Sequence, residues 1–278
     1  MHLRRLGAVL LCLMFTLLLR TGLARGQVGA EPIARFRDAQ GDDAGAGNLL
    51  YPDHRVYVPG LFDLLEFVVS QDEDNVYFDF QFAALTNPFQ APEGYFHQRI
   101  EVYIHTGLRL GRTALKVGSH NLQTAPELGW DLRLSISPFD EAKLYVIGED
   151  NRVQVFSEEV TSFCLADNKT VRLQIRDDVL PQPNSAWGYY VLIGSFDGLA
   201  EDFWRDLGEG PWQVGGDGLP IFDILAPRLG TRSQKVQLSK GVLYPVFSRR
   251  ALAPQWFWRL LVVVFALGSF CVWRWQRG

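Results

Sequence analysis

Three carboxylates crowd a glycine-rich stretch near the start of the chain, Asp38-Ala39-Gln40-Gly41-Asp42-Asp43-Ala44-Gly45-Ala46-Gly47. Hard cations take several oxygen ligands, and a loop rich in glycine can turn its carbonyls inward beside the carboxylates. Asp38, Asp42 and Asp43 are therefore candidate ligands for calcium. The spacing is not that of an EF-hand, and a solvated turn would use the same residue types for its own local hydrogen bonds. A second concentration lies late in the chain: Ser195-Phe196-Asp197-Gly198, then Phe203-Trp204-Arg205, then Trp212-Gln213-Val214-Gly215-Gly216-Asp217. Indole faces stack on the apolar C–H faces of pyranose rings, while a few placed polar groups bond the hydroxyls. Trp187, Trp204 and Trp212 are the candidate stacking residues, with Asp197 and Arg205 as polar partners. Core packing is the competing role for each indole. Trp130 falls on the apolar side of its own strand and is assigned to the core.

Motifs of covalent or phosphate chemistry are absent. The chain has no Gly-x-Ser-x-Gly elbow, no Gly-x-Gly-x-x-Gly turn and no P-loop. His54, His97, His105 and His120 are scattered without metal-ligand spacing. A glycosidase carboxylate pair is set by proximity in space, and nothing in the order of residues marks one. The reading is of a binding module, not an enzyme.

These side chains need a scaffold, and the pattern between them is that of β-strands. Val76, Phe78, Phe80 and Phe82 alternate with Tyr77, Asp79 and Gln81. Period two with one apolar side is the signature of a half-buried strand. Ile100–Ile104, Trp130–Ile136 and Val171–Ile175 alternate in the same way. Gly148-Glu149-Asp150-Asn151 and Ala166-Asp167-Asn168-Lys169 read as hairpin turns. Asn168-Lys169-Thr170 also matches a glycosylation sequon. Many strands with one apolar face predict an all-β fold, an antiparallel two-sheet β-sandwich of jelly-roll or DOMON-like type.

The ends differ from the middle. Arg4 and Arg5 precede an apolar run from Leu6 to Leu19 and then small residues. That order predicts a secretory signal over residues 1–30, cleaved after Ala24 or Ala30, with an uncleaved anchor as the alternative. Residues 255–275 are mostly apolar, with Trp256/Trp258 and Trp273/Trp275 at the two ends. Such a run is long enough for one C-terminal transmembrane helix with aromatic belts. The expected organisation is a signal at 1–30, a β-sandwich at 31–227, a basic juxtamembrane linker at 228–254, the span at 255–275 and a short cytoplasmic tail at 276–278. The bulk of the chain would then sit outside the cell membrane, held by a single pass.

The net charge of −4 hides a strong asymmetry: residues 31–223 carry 14 basic and 31 acidic groups, a net −17. An acidic domain repels phosphate and excludes nucleic acid as a partner. Cys12 and Cys271 fall in the two apolar ends, which leaves Cys164 alone in the domain. An intradomain disulfide and a cysteine zinc site are therefore excluded.

Asp38 to Gly47, followed by Asn48-Leu49-Leu50-Tyr51-Pro52 and Pro59-Gly60-Leu61-Phe62-Asp63-Leu64, resembles the opening of the glucodextranase C-terminal-like domain family. Asn75-Val76-Tyr77-Phe78, Ile100-Glu101-Val102-Tyr103-Ile104, Ser195-Phe196-Asp197-Gly198 and Ile221-Phe222-Asp223-Ile224-Leu225-Ala226-Pro227 are similar to its later motifs. The likeness runs from about Ile33 to Pro227. It departs at Phe89, where the family tends to have tryptophan. The resemblance implies a sandwich related to carbohydrate-binding and DOMON-type modules. It implies a polysaccharide or cell-wall glycan as partner; joined to the apolar run at 255–275, which the family's enzyme-borne domains do not share, the expectation is a membrane-anchored module without catalytic activity. Haem, which some DOMON domains hold through methionine, is not expected, because Met1 and Met14 are the chain's methionines. The alternative function is a structural or protein-interaction module of a cell-envelope complex.

Overall fold

The computed structural model describes residues 31–109 and 111–248. The predicted signal, the predicted span and tail, and the last residues of the predicted linker lie outside them. Among the described residues, no helix is long and apolar enough to cross a membrane.

Two sheets carry the fold. One has the order β1 (Glu31–Arg37), β3 (Leu64–Gln71), β4 (Asn75–Phe82), β12 (Thr170–Arg176) and β11 (Val160–Cys164). The other has the order β10 (Val153–Phe156), β9 (Lys143–Ile147), β8 (Leu132–Ile136), β5 (Gln98–His105), β13 (Gly188–Ser195) and β15 (Asp223–Ile224). β17 (Val246–Phe247) also pairs with β13, at its start. The hairpins at residues 148–151 and 166–169 form as expected, with Asn151 and Asn168 in the left-handed region at φ 60° and 53°. Asparagine accepts that conformation because its short amide can bond locally.

The sheets face each other across one apolar layer. Val76, Phe78, Phe80 and Phe82 of β4 are all fully buried. They meet Ile100, Leu134, Tyr189 and Val191 from the second sheet in the same cluster. Phe67 meets Tyr189 edge to face at 5.3 Å, a favoured aromatic geometry.

The second sheet has cover on its other side too, which explains why β5 and β13 are buried at nearly every position. Tyr103, Tyr190 and Leu192 point away from the sandwich into a second cluster. Their cover includes the hairpin of β6 (Ala114–Val117) and β7 (His120–Thr124), and helix α1 (Gln234–Lys240). Strand β16 (Val242–Leu243) joins β7 in parallel. A short pair, β2 (Leu49–Leu50) with β14 (Gly215–Gly216), ties the early loop to the late one. Trp130 is buried as expected, but in this second cluster, where its indole N–H donates to the Ala114 carbonyl at 2.8 Å.

The segment read as a linker from residue 228 differs from that expectation as far as Ser248. It carries α1, β16 and β17, and Leu238 and Leu243 are buried. Each element is too short to show a period, so only their tertiary contacts reveal them.

Candidate functional site

Two sites lie at the end of the sandwich where β4 and β13 finish and β5 begins. The segment from Tyr51 to Asp63 contributes to both.

The first is a cage of carboxylates. The loop after β1 folds tightly: Gly45 adopts φ +62°, and a Cβ there would lie 2.7 Å from the Ile221 carbonyl oxygen. Only glycine fits so close an approach. This brings Asp42 against Asp63, which precedes β3, and Asp223, which belongs to β15. One carboxylate oxygen from each of the three lies within 4.8 Å of the others. Asp63 accepts the Gly41 N–H at 3.0 Å, and Asp223 Oδ2 accepts the Leu64 N–H at 2.8 Å. Asp223 Oδ1, Asp42 Oδ1 and Asp38 Oδ2 are buried without a hydrogen-bond partner.

The electrostatics follow from the crowding. Burial first, and the neighbouring Asp42 second, push Asp38 up to about 8. Burial and the charges of Asp43 and Asp42 raise Asp63 to about 6, against the Gly41 N–H that lowers it. Asp42 is raised, and Asp223 well raised, with burial again the main cause. Desolvation and like charge both disfavour the ionised form.

Asp43 does not join this group. The Tyr51 hydroxyl donates to it and accepts the Phe62 N–H at 3.1 Å. Of the three ligands expected from sequence, Asp42 is therefore in the cage, Asp38 stands behind it, and Asp43 is turned to Tyr51. Asp63 and Asp223 were missed as ligands. Each is a lone acid inside an apolar run, Leu61-Phe62-Asp63-Leu64 and Ile221-Phe222-Asp223-Ile224, a pattern that marks a buried acid but not its partners.

The second site is a run of aromatic rings from four loops. Trp212 stacks on His54 at 3.9 Å between ring centres. Tyr57 meets Trp212 edge-on at 6.1 Å, and Phe89 lies 6.2 Å from it. Phe96 continues the run, 4.6 Å from Phe89 and 6.1 Å from Phe139. Phe89 and Phe139 are exposed at 47% and 51%, and Trp212 is half-buried. Exposed clustered rings of this size are uncommon without a partner to cover them.

Polar groups lie beneath the rings. Arg205 donates to the Trp212 carbonyl and the Phe196 carbonyl, both at 2.8 Å, and pairs with Asp197 at 3.2 Å. Its Nε, the Tyr57 hydroxyl, the Ser195 hydroxyl and both ring nitrogens of His97 are buried without partners. Burial, and then the Arg205 charge, push His97 down to about 4, so it is neutral at pH 7. Unpaired buried donors and acceptors are costly, and these groups lie close together beneath the rings.

Of the residues singled out from the sequence, Trp212, Arg205 and Asp197 lie together. Trp187 and Trp204 do not, and their assignment to a stacking surface is corrected. Trp187 is 1% exposed and packs between the sheets. Trp204 is 2% exposed, lies against Gly194, and donates its indole N–H to the Pro220 carbonyl at 2.9 Å. Neither ring has a free face. The aromatic partners Trp212 does have, His54, Tyr57 and Phe89, come from loops whose proximity no local pattern records.

Residues 33–244 match the model of a family described as the C-terminal binding module, SLH-like, of glucodextranase. The chain belongs to this family. The match runs past Pro227 and takes in α1 and β16, so the glucodextranase-type module includes the helix and strand beyond the last sequence motif. Among solved structures, a family 9 carbohydrate-binding module from Caldicellulosiruptor kristjanssonii in complex with cellotriose is similar at 10% identity. That similarity covers 61% of this chain and 68% of the other, with a TM-score of 0.26, too low to bear on the site. No curated protein matches.

Proposed function

We propose that this module binds carbohydrate, a glucan or cell-wall glycan, on the aromatic run around Trp212, and that it does so without catalysis from outside the membrane. The carrying observation is the run Trp212–Phe89–Phe96–Phe139, half-buried at Trp212 and Phe96 and exposed at Phe89 and Phe139, laid over buried polar groups. Ring faces supply the apolar contact for a pyranose, while Arg205, Asp197 and Tyr57 supply bonds to hydroxyls. Membership of a binding-module family supports the reading. The apolar stretch at 255–275 and the export-type N-terminus support tethering to the membrane by a single pass.

The test is retention of the full-length chain on α-glucans and cell-wall glycans, with a glycan array for breadth. Trp212→Ala is expected to weaken binding at least tenfold, about 1.4 kcal/mol, while the melting temperature holds. Trp212→Phe should restore part of the affinity. If the folded wild-type chain is retained by no glycan, the reading fails, and a protein partner in the cell envelope becomes the explanation for the exposed rings. Protease protection of the module in sealed vesicles tests the tether separately.

A further inference from the structure

The carboxylate cage is separate from the aromatic run, and it gathers carboxyl groups in a largely enclosed corner of the fold. Asp223 is fully buried and Asp63 is 3% exposed. Asp223 spends one oxygen on the Leu64 N–H and leaves the other, Oδ1, enclosed and unpartnered. Asp42 Oδ1 and Asp38 Oδ2 are likewise enclosed without a donor. Among the described residues, no ion pair involves any of the four. Buried carboxyl groups stay ionised when they are paired or ligate a metal.

The geometry also selects the cation. The donors are all oxygen, which selects a hard ion over a thiophilic one. Three oxygens within 4.8 Å of each other can share an ion at the roughly 2.3–2.6 Å of calcium–oxygen bonds. Magnesium requires shorter bonds, a near-ideal octahedron and several retained waters, a poor match for an enclosed site supplied by three separate segments of chain.

The ligands come from distant parts of the chain: Asp42 from the loop after β1, Asp63 from the entry to β3, Asp223 from β15. A fourth segment closes on them. The buried Gln234 of α1 donates to the Asp42 and Gly45 carbonyls, and its Oε1 accepts the Ile224 N–H at 2.7 Å. We propose that Asp42, Asp63 and Asp223, backed by Asp38, hold one calcium ion, which fastens the first loop to β15 and, through Gln234, secures helix α1.

The experiment uses the full-length chain in detergent, stripped with EGTA and then titrated with calcium or magnesium. Metal content, calorimetric binding and melting temperature are read. One calcium per chain is expected, with a Kd of about 1 mM or tighter, and a rise in melting temperature of about 5 °C or more at saturation. In calcium, tryptic cleavage at Arg228, Arg232, Lys235 and Lys240 should slow. Asp223→Asn should abolish the calcium response, yet melt no lower than the stripped wild type, because it removes like-charge repulsion. Should that variant fail to fold, the wild-type metal content and cleavage rates still decide. Absence of bound calcium, an equal response to magnesium, or an unchanged calcium response in a folded Asp223→Asn chain would each overturn the proposal. None of these readouts depends on sugar binding.

Discussion

Glu101 sits in the middle of β5 with its carboxylate fully enclosed. Arg133 grips it with two bonds of 2.7 Å, and Arg99 donates from the other side. Burial alone would push this carboxyl up, but the Arg133 and Arg99 charges more than offset it and hold it below the usual range. Its contribution is therefore present above the ordinary carboxylate pKa and is lost as pH falls through the lower folded value. Glu101→Gln leaves two guanidinium groups without their counter-charge. It is expected to cost about 3–5 kcal/mol at pH 7, read as a shift in the urea midpoint. His97 also loses its contribution as pH falls, but as a group held neutral instead of charged. It is held neutral by burial and by Arg205, with Tyr57 packed 4.7 Å away. The unfolded chain takes up a proton near pH 6.5, while the folded chain resists until about 4. Stability is therefore lost as pH falls from about 6.5 to 4, on the order of 3 kcal/mol from this group. His97→Phe should remove that component. Melting curves of the two chains at pH 7 and pH 4.5 would expose the difference, and parallel losses would refute it.

At the scale of elements, the outer face of β13 depends on one glycine. A Cβ on Gly194 would lie 2.3 Å from the Trp204 ring, and that ring is held by its bond to Pro220. Gly194→Ala is expected to cost about 1–3 kcal/mol through overpacking, measured by chemical denaturation. Trp204→Ala should cost about 3–5 kcal/mol through the cavity it leaves. The same strand shows where sequence reading stops. β4, β8 and β12 were legible because one face is wetter, which leaves a period of two along the residues. β13 reads Gly188-Tyr189-Tyr190-Val191-Leu192-Ile193-Gly194-Ser195 and is buried on both faces, so the period vanishes. The two-residue strands β2, β14, β15, β16 and β17 exist only through their partners. The carboxylate loop was legible from its glycines. Asp63 and Asp223 were not, because an isolated acid in an apolar run does not reveal which other acids face it. Trp187, Trp204 and Trp212 are alike as residues, and only the layers packed around them separate core from surface.

At the scale of the molecule, the folded unit extends past the last sequence motif. Without residues after Pro227, the second cluster loses Leu238 and Leu243, and Gln234 no longer bridges the first loop. A chain ending at Pro227 should melt earlier and less cooperatively than one ending at Ser248, as differential scanning calorimetry would show. Equal transitions would mean that the late segment merely rests on the surface. The bridge from Gln234 to the Asp42 carbonyl spans 192 positions of sequence. Contacts that distant form slowly, because the loop entropy is lost before the contact is gained. During synthesis, the β1 loop must wait, open, until nearly the whole domain has emerged. Its completion is therefore a late kinetic event, and the rate of maturation should be set by the arrival of the C-terminal segment, not by the pairing of the central strands.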